Sequence, residues 1–184
     1  MGKLRVLDIS DCKNFSFYQN ELVEIYSRAF GEPPWNEVFN EKEVLTWFSE
    51  MNMCSGKIVL VMYYGQKLVG ATFCVNADLE HNVWVYLPEG VARQEVIYLS
   101  ESFIDPAYQR KGLGGVLHDR RLELARKQGY KYALQRTSEQ SGMFPLIQRT
   151  GFEEIGRQIV RSRKKINGVI NDYPDDRIIS LKKL

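Results

Sequence analysis

The fold is decided by one stretch near the middle of the chain, Ile104-Asp105-Pro106-Ala107-Tyr108-Gln109-Arg110-Lys111-Gly112-Leu113-Gly114-Gly115. A β-rich run over Glu95–Ile104 leads into it. Apolar residues at helical spacing continue over Leu113–Gln128, and Gly129 stands where a glycine commonly ends a helix. The stretch therefore predicts a strand, a tight turn and the N-terminus of a helix.

This turn has the composition of a pyrophosphate-binding site. The N-terminus of a helix presents unpaired N–H groups and a partial positive charge. Gly112 and Gly114 lack a Cβ, so a phosphate can approach the main chain closely, and Arg110 and Lys111 add positive charge beside it. The turn is not a Walker loop, because no Gly-Lys-Ser/Thr follows the glycines. It is not a dinucleotide fingerprint either, because the Gly-x-Gly-x-x-Gly spacing is absent.

Further strands and helices are predicted on both sides of the turn. Before it, the patterns predict a strand, two helices and two strands, at Leu4–Ile9, Phe15–Phe30, Glu41–Met53, Ile58–Tyr64 and Leu68–Val75. Residues 78–93 are less regular and are predicted to form a loop. After the turn, the patterns predict a strand, a short helix, a strand, a tight turn and a last strand, at Tyr132–Arg136, Ser141–Thr150, Phe152–Val160, Asn167-Gly168 and Ile178–Leu181.

The order of these elements predicts the fold class. Short connections join the early strands as hairpins, whereas the strand–helix–strand unit over residues 95–136 requires parallel pairing. We therefore expect a mixed α/β fold, with a mixed sheet and helices on both of its faces. No repeat, low-complexity tract or linker interrupts the sequence, so residues 1–184 are predicted to form one domain.

The composition excludes several functional classes. Of 184 residues, 44% are apolar and 26% are charged, as in soluble globular proteins. A net charge of +2 leaves no general basic field for nucleic acid, and no apolar run approaches the ~20 residues of a membrane span. Three widely spaced cysteines, Cys12, Cys54 and Cys74, suit reduced thiols in the cytoplasm, and the N-terminus lacks the pattern of a signal peptide. The two histidines, His81 and His118, form no cluster with cysteines, so no metal site is expected.

The motif Gln109-x-x-Gly112-x-Gly114, between a strand and a helix, resembles motif A of the GNAT superfamily of N-acetyltransferases. Four other segments agree with the family: Ile104-x-Pro106 before the motif, Gly129-Tyr130 after the helix, Leu134-x-x-Thr137 on the next strand, and Leu146-x-x-x-x-Gly151-Phe152 in the position of the final motif. The resemblance implies a central mixed sheet of about six to seven strands with a splayed parallel pair, flanked by about four helices.

The same resemblance implies acetyl-CoA as the co-substrate. In the family the pantetheine arm enters the gap between the splayed strands and bonds to main-chain groups, much as a peptide adds to a sheet edge. By position, the residues that line the acetyl group and pantetheine are Ser102, Phe103 and Ile104. Those around the pyrophosphate are Gln109, Arg110, Lys111, Gly112, Leu113, Gly114 and Gly115. Gln140 lies where the family often has an Asn that contacts the cofactor.

The implied reaction is direct transfer of the acetyl group to an amine. An amine of pKa ~10 must lose a proton before it attacks the thioester, and a carboxylate can accept that proton. Glu101 is the first candidate base, although the same position also suits a solvent-facing strand residue; Glu95 ranks second. Ile147 stands where the family commonly has a Tyr that protonates the thiolate. Either Tyr98 or Tyr173 is then the acid, or CoA leaves unassisted.

The acceptor is predicted only as a small-molecule or peptide amine. Acidic residues surround the Pro33-Pro34-Trp35 turn and the last predicted loop: Glu32, Glu37, Glu41, Glu43, Asp172, Asp175 and Asp176. They favour a cationic amine, such as a polyamine, an aminoglycoside or a lysine side chain, unless they are simply surface residues. Trp35, Trp47 and Phe48 belong either to an acceptor pocket or to the core.

A second hypothesis from another class remains open. The chain could be a non-catalytic module that binds acyl-CoA as a sensor or contacts a partner protein, and Ile147 in place of Tyr supports that reading. Monomer and homodimer are both compatible with the sequence. A run of basic residues is read as a solvated strand face and loop rather than an anion site: Arg157, Arg161, Arg163, Lys164 and Lys165.

Overall fold

The structure is a computed structural model that describes residues 2–11 and 15–184. Within these ranges the strands are β1 (Leu4–Asp8), β2 (Ile58–Tyr64), β3 (Lys67–Asn76), β4 (Val96–Ile104), β5 (Tyr132–Thr137), β6 (Glu153–Ile166) and β7 (Val169–Lys183). The helices in the same ranges are α1 (Ser16–Gly31), α2 (Glu41–Met53), α3 (His81–Trp84), α4 (Leu113–Lys127) and α5 (Phe144–Arg149). Cys12 lies outside the described residues.

The strands of the described chain form one seven-stranded sheet in the order β1-β2-β3-β4-β5-β7-β6. β4 and β5 are parallel, and all other neighbouring pairs in this sheet are antiparallel. The parallel pair results from the crossover through α4, whereas β2–β3 and β6–β7 are hairpins. The predicted mixed α/β fold is therefore confirmed. The one-turn helix α3 is additional to the helices that the sequence predicts.

Two apolar cores lie on opposite faces of the sheet. α1 and α2 cover one face, where Leu22 and Phe73 are fully buried. α4 and α5 cover the other, where Ile97 and Leu117 are fully buried. Burying one such side chain contributes about 1.5–3 kcal/mol, so the apolar stripes that predict the helices also hold them against the sheet. Cys74 lies in the second core, and burial raises the pKa of its thiol to about 11, which makes it a poor nucleophile.

The segment predicted as a loop, residues 78–93, contains helical turns. A 3-10 turn covers Ala77–Leu79 and α3 follows it. A second 3-10 turn, Arg93–Glu95, delays the start of β4 to Val96. The loop prediction is wrong for α3, because a helix of one turn has no apolar periodicity to reveal it. Burial of Val83 holds this turn against the first core instead.

The C-terminal hairpin is longer than predicted. Its turn is at Asn167 and Gly168 as expected, with positive φ angles of 51° and 81°. From there β6 and β7 pair back to Glu153 and Leu181. Asp172, Asp175 and Asp176 therefore lie on β7, and their placement in a loop is wrong. The outer part of the hairpin lies outside the two cores, so it lacks the regular apolar–polar alternation that would have indicated strands.

Candidate active site

The parallel strands β4 and β5 separate after three paired positions. They pair only from Val96 to Tyr98 on β4 and from Tyr132 to Leu134 on β5. Beyond this point β4 continues to Ile104 along β3, while β5 continues along β7. The predicted splayed pair is present, and main-chain groups of β4 that face the gap have no β5 partner beyond Tyr98 in the described structure.

A β-bulge in β4 sets which side chains face this gap. Val75 of β3 is opposite Tyr98, whereas Phe73 is opposite Glu101, so two steps along β3 correspond to three along β4. The extra residue reverses the alternation of side chains beyond it. Glu101 therefore lies on the same sheet face as Tyr98, the face covered by α1 and α2.

The turn before α4 leaves several main-chain amides without a backbone partner among the described residues. A 3-10 turn at residues 106–108 is followed by Arg110 and Gly112, with positive φ angles of 58° and 78°. The carboxylate of Asp105 accepts from the Ala107 N–H at 3.0 Å and from Arg28 at 2.9 Å, which fixes the start of the turn. Within the described chain, the N–H groups of residues 110–114 donate to no backbone acceptor.

The space over this turn is open enough for a cofactor. A Cβ added at Gly112 or Gly115 would meet no atom within 4 Å, and one at Gly114 would meet only Met143 Sδ, at 3.8 Å. Open amides, open space and the exposed cations Arg110 and Lys111 fit the diphosphate of acetyl-CoA. The assignment of these residues to the cofactor stays a prediction.

The other predicted cofactor residues differ in what they offer. Phe103 and Ile104 are buried in opposite cores, so their main-chain groups rather than their side chains are available to a ligand. Gln109 Nε2 donates to the Ile104 carbonyl at 3.0 Å and so shapes the turn. Ser102 lines the cavity described below. Gln140 is exposed in the turn after β5 and lies outside the cavity lining.

One cavity of about 280 Å³ passes through the gap between β4 and β5. On the α1 side its walls come from α1, α2 and the loop between them: Tyr26, Phe30, Trp35, Glu37 and Trp47. The strands and the turn after β5 contribute Tyr98, Leu99, Ser100, Glu101, Ser102, Gln135, Arg136, Thr137, Ser141 and Met143. The hairpin closes it with Val160, Arg161, Ser162 and Arg177. The cavity thus extends from the face covered by α1 and α2 to Met143, which lies beside Gly114 in the turn before α4.

Glu101 is a partly buried carboxyl in the wall of this cavity. Burial raises its pKa to about 8, because the charged form loses hydration. The positive charge of Arg136 opposes this rise, while Glu37 reinforces it. Glu101 also raises the pKa of the Tyr26 phenol, whose own burial is the larger cause. Near neutral pH, Glu101 is thus poised to exchange a proton.

An ion-pair network that the sequence did not indicate closes the cavity. Arg177 bonds to Glu37 at 3.2 Å and to Asp175 at 3.0 Å, and Lys164 bonds to Asp175 at 2.5 Å. The guanidinium of Arg177 also lies over the Trp35 ring, 4.8 Å from its centroid. These residues are distant in sequence, so no local pattern could have grouped them. Lys164 is buried here, which corrects the reading of the basic run as entirely solvated.

The candidate acids do not lie together. Tyr98 lines the cavity, and burial raises its pKa to about 12, so it keeps its proton at neutral pH. Tyr173 lies on the hairpin, outside the cavity lining. Ile147 is buried in the core under α4. Tyr26, which the sequence indicated only as part of the α1 stripe, lies beside Glu101 in the cavity.

The predicted aromatic set divides between cavity and core. Trp35 and Trp47 line the cavity, whereas Phe48 is fully buried and stacks on Phe73 with ring centroids 4.6 Å apart.

A buried polar cluster supports the splayed strands from the α4 side. Arg121 is fully buried and donates to Thr72 at 3.2 Å, to Gln135 at 3.0 Å and to His118 Nδ1 at 2.9 Å. The Thr72 hydroxyl in turn donates to the Glu101 carbonyl at 2.6 Å. The cluster therefore ties β3, β4 and β5 together at the point where the gap opens. His118 is fully buried, and burial lowers its pKa to about 3.

The comparisons with known proteins agree with this architecture. The chain belongs to the acetyltransferase (GNAT) family, whose family model matches residues 19–152, well over half of the sequence. No curated protein is significantly similar in sequence.

Solved structures share the fold at low sequence identity. An N-acetyltransferase from Staphylococcus aureus Mu50 is 16% identical with a TM-score of 0.70, over 98% of each chain. YncA of Salmonella typhimurium, solved with its cofactor acetyl-CoA, is 18% identical with a TM-score of 0.65, over 100% of this chain and 94% of that one. A ribosomal-protein-alanine N-acetyltransferase from Brucella melitensis is 18% identical with a TM-score of 0.68, over 99% of each chain.

Two features are absent from the described residues. No helix among them is long and apolar enough to cross a membrane. No group of three or more His, Cys, Asp or Glu side chains among them is arranged to hold a metal ion.

Proposed function

We propose that this protein is an acetyl-CoA-dependent N-acetyltransferase that moves an acetyl group directly to a primary amine. The cavity through the β4–β5 gap carries the proposal. It places Glu101 on one side of the sheet and leads toward the open amides before α4 on the other. Met143 lines the cavity and also lies beside Gly114, so a site for an amine and a site for a pyrophosphate would be adjacent.

Each part of the cofactor has residues suited to it. The N–H groups of residues 110–114, with Arg110 and Lys111, would hold the diphosphate. The unpaired edge of β4 over Ser102, Phe103 and Ile104 would hold the pantetheine through its main chain. When bound, acetyl-CoA supplies an acetyl thioester.

Glu101 is the proposed general base. An amine of pKa ~10 is mostly protonated at neutral pH, so a group must remove its proton before it attacks. A carboxyl whose pKa is raised to about 8 is a stronger base than an ordinary glutamate and still ionises in the physiological range. Main-chain N–H groups along the unpaired part of β4 are suited to stabilise the oxyanion.

The leaving thiolate has two candidate partners in the cavity wall. Tyr98 and Tyr26 both keep their protons at neutral pH and can donate hydrogen bonds. A phenol with a pKa of about 12 is a weaker acid than a thiol of pKa ~8.5, so complete proton transfer is uphill. We therefore favour hydrogen bonding by Tyr98, with CoA leaving as the thiolate.

Cys54 and Cys74 are free thiols, which supports a reducing compartment and hence a cytoplasmic location.

Release of free CoA thiol from acetyl-CoA in the presence of a panel of amines tests the proposal. Direct transfer requires a ternary complex, so initial-rate plots at several amine concentrations should intersect rather than run parallel. Binding of CoA without thiol release for any amine would favour the alternative, a non-catalytic acyl-CoA sensor. The observation that favours this alternative is Ile147, which stands in place of the usual Tyr.

A further inference from the structure

We propose that the acceptor is a small amine that also carries a carboxylate, and that Arg136 binds that carboxylate. The inference rests on the N-acetyltransferase function proposed above and adds the chemical class of its acceptor. It reverses the expectation of a purely cationic acceptor, because the charges that line the cavity differ from those counted along the sequence.

The acidic residues that suggested a cationic acceptor either lie outside the cavity lining or are already ion-paired. Of that set only Glu37 lines the cavity, and its carboxylate is bound by Arg177. Asp175 is bound by Arg177 and Lys164, and Asp176 by Arg157 at 3.0 Å. The set therefore supplies no unneutralised carboxylate to attract an ammonium ion into the cavity.

Arg136 lines the cavity but takes no part in these ion pairs. It lies on β5, two residues beyond Leu134, and so on the face shared by Glu101. Its Nη1 donates to Gln158 Oε1 at 3.2 Å. Among the described residues no carboxylate lies within 4.0 Å of its guanidinium. A partly buried guanidinium has a fork of donors that matches a carboxylate.

The other two guanidinium groups that line the cavity already have hydrogen-bonding partners. Arg177 serves Glu37 and Asp175. Arg161 is exposed and donates to the Asp172 carbonyl at 3.1 Å.

The relation of Arg136 to Glu101 suggests a molecule with two charged groups. Arg136 is near enough to oppose the rise in the pKa of Glu101, yet it lies beyond the 4.0 Å limit of an ion pair. A small acceptor can bridge this gap with its carboxylate on Arg136 and its amine at Glu101. An amine without an anion would instead bring a second positive charge close to Arg136, which has no carboxylate within 4.0 Å among the described residues, in a partly desolvated cavity.

The size and walls of the cavity narrow the acceptor further. A volume of about 280 Å³ lies at the lower end for ligand pockets. Phe30, Trp35 and Trp47 supply aromatic surface on the α1 side. These features together fit an α-amino acid with an apolar side chain.

Matched acceptors test the inference directly. Thiol release is measured with L-phenylalanine, L-phenylalaninamide and 2-phenylethylamine, and with the corresponding leucine set, each corrected for the fraction of free amine. We expect kcat/KM for the amino acid to exceed those of its amide and amine by at least about tenfold, the scale of a charge-assisted bidentate contact. Equal or better use of the amide or the amine would overturn the inference but leave the transferase function standing.

Variants separate carboxylate binding from an effect on Glu101. Arg136→Gln should remove the preference by lowering kcat/KM for the amino acid at least about tenfold more than for the amide and the amine. Arg163→Gln, which removes the same charge from an exposed position of β6 outside the cavity lining, should retain it. A uniform loss across all three acceptors in Arg136→Gln would show that Arg136 acts only through Glu101, contrary to the inference. Arg136→Lys and the melting temperature with CoA check that the fold persists.

A binding measurement makes the outcome independent of turnover. N-acetyl-L-phenylalanine keeps the carboxylate but has no free amine, so calorimetry with CoA present reports on the anion site alone. It should bind the wild type and Arg163→Gln, and bind Arg136→Gln at least about tenfold more weakly. No binding to the wild type, or equal binding to Arg136→Gln, contradicts the inference. Tight binding without thiol release from any amine would instead contradict the transferase function.

Discussion

At the scale of single residues, Glu101 acquires its proposed role from its surroundings. The bulge in β4 turns its side chain toward α1, and without the extra residue this position would face α4. Burial in the cavity wall then raises its pKa to about 8. Neither effect is a property of glutamate itself, so substitution of this residue is the sharpest test of the mechanism.

Glu101→Gln should lower kcat by roughly 10²–10⁴-fold, the usual scale of general-base catalysis. Because the base must be deprotonated, wild-type kcat/KM should rise with pH through an apparent pKa of about 8, and the variant should lack this limb. Affinity for acetyl-CoA should barely change, since main-chain groups hold the cofactor. Initial rates from about pH 6 to 10 measure both effects.

Glu80→Gln is the matched control for this substitution. Glu80 is also a partly buried carboxyl near Arg136, with a pKa raised by burial, but it does not line the cavity. The control should have a kcat within about threefold of the wild type, and its kcat/KM should still rise with pH through an apparent pKa of about 8. If Glu101→Gln behaved in the same way with chemistry rate-limiting, Glu101 would not be the base.

The tyrosines give a second prediction at this scale. Tyr98→Phe should lower kcat by about three- to tenfold, because the loss of one hydrogen bond to the leaving sulfur costs roughly 0.5–1.5 kcal/mol. The pH profile of the variant should keep the wild-type shape up to about pH 10, because Tyr98, with a pKa of about 12, stays protonated over this range. Tyr173→Phe, on the hairpin and outside the cavity lining, should stay within about twofold. A larger effect of Tyr173→Phe on kcat would show that the hairpin approaches the leaving group.

At the scale of elements, the turn before α4 should bind CoA through its main chain. Gly114→Leu should reduce the rise in melting temperature that CoA produces by more than half, because a side chain would occupy the space above the amides. The variant should fold, since the nearest atom to the new Cβ, Met143 Sδ, is 3.8 Å away. At saturating CoA, the wild-type protein should gain about 2–4 kcal/mol of stability.

Gly31→Leu is the control for this effect. Its new Cβ would also have its nearest neighbour at 3.8 Å, the Glu37 carbonyl oxygen, but it lies at the end of α1. It should keep the full CoA-induced shift. Equal shifts in both variants would argue against cofactor binding at the turn.

The buried cluster under the gap predicts a pH dependence of stability. Burial lowers the pKa of His118 from 6.5 to about 3, so the unfolded chain binds a proton that the folded chain excludes. This contribution is intact above about pH 6.5 and is lost as pH falls toward 3, on the order of 2–3 kcal/mol by about pH 4.5. In urea titrations, His118→Gln should lose less stability than the wild type between pH 7 and 4.5.

The second histidine provides the comparison for that experiment. His81 is exposed, so His81→Gln should parallel the wild type across the same pH range. A His118→Gln curve that also paralleled the wild type would mean that the imidazole is protonated in the folded state. The buried position of His118, next to the guanidinium of Arg121, argues against that result.

At the scale of the whole molecule, the last strand is central to the sheet. β7 lies between β5 and β6 and buries Ile178, Ile179 and Leu181. We expect the chain to unfold as one domain in a single transition. Deletion of residues 168–184 should abolish this transition in calorimetry, because β5 would lose its antiparallel partner and both cores would be opened.

Shortening the hairpin tip is the control for that deletion. Removal of residues 165–166 and 169–170 brings the Asn167-Gly168 turn next to Lys164 and Asn171, which already face each other across the hairpin. This variant should unfold cooperatively, since the removed residues lie outside both cores. A cooperative transition in the long deletion would show that the C-terminal hairpin is dispensable.

The sequence by itself determined the fold class, most elements and the glycine-rich turn before α4. These follow from local signals, namely the periods of strands and helices and the glycines of residues 112–115. A local pattern is enough to predict this turn, because the turn is formed by consecutive residues and needs no partner from elsewhere in the chain. The resemblance to the GNAT motif rests on the same contiguous residues, and for that reason the family could be identified without the structure.

Only the tertiary structure decided which charged residues line the cavity. Glu37, Arg136 and Arg177 are far apart in the chain and line one cavity because the loop after α1, β5 and β7 pack around the same gap. Whether an acidic residue attracts a substrate depends on its ion-pair partners, and the pKa of Glu101 depends on its burial. The register shift in β4 and the length of the hairpin likewise depend on pairing with other strands. These are long-range interactions, and a linear sequence does not display them.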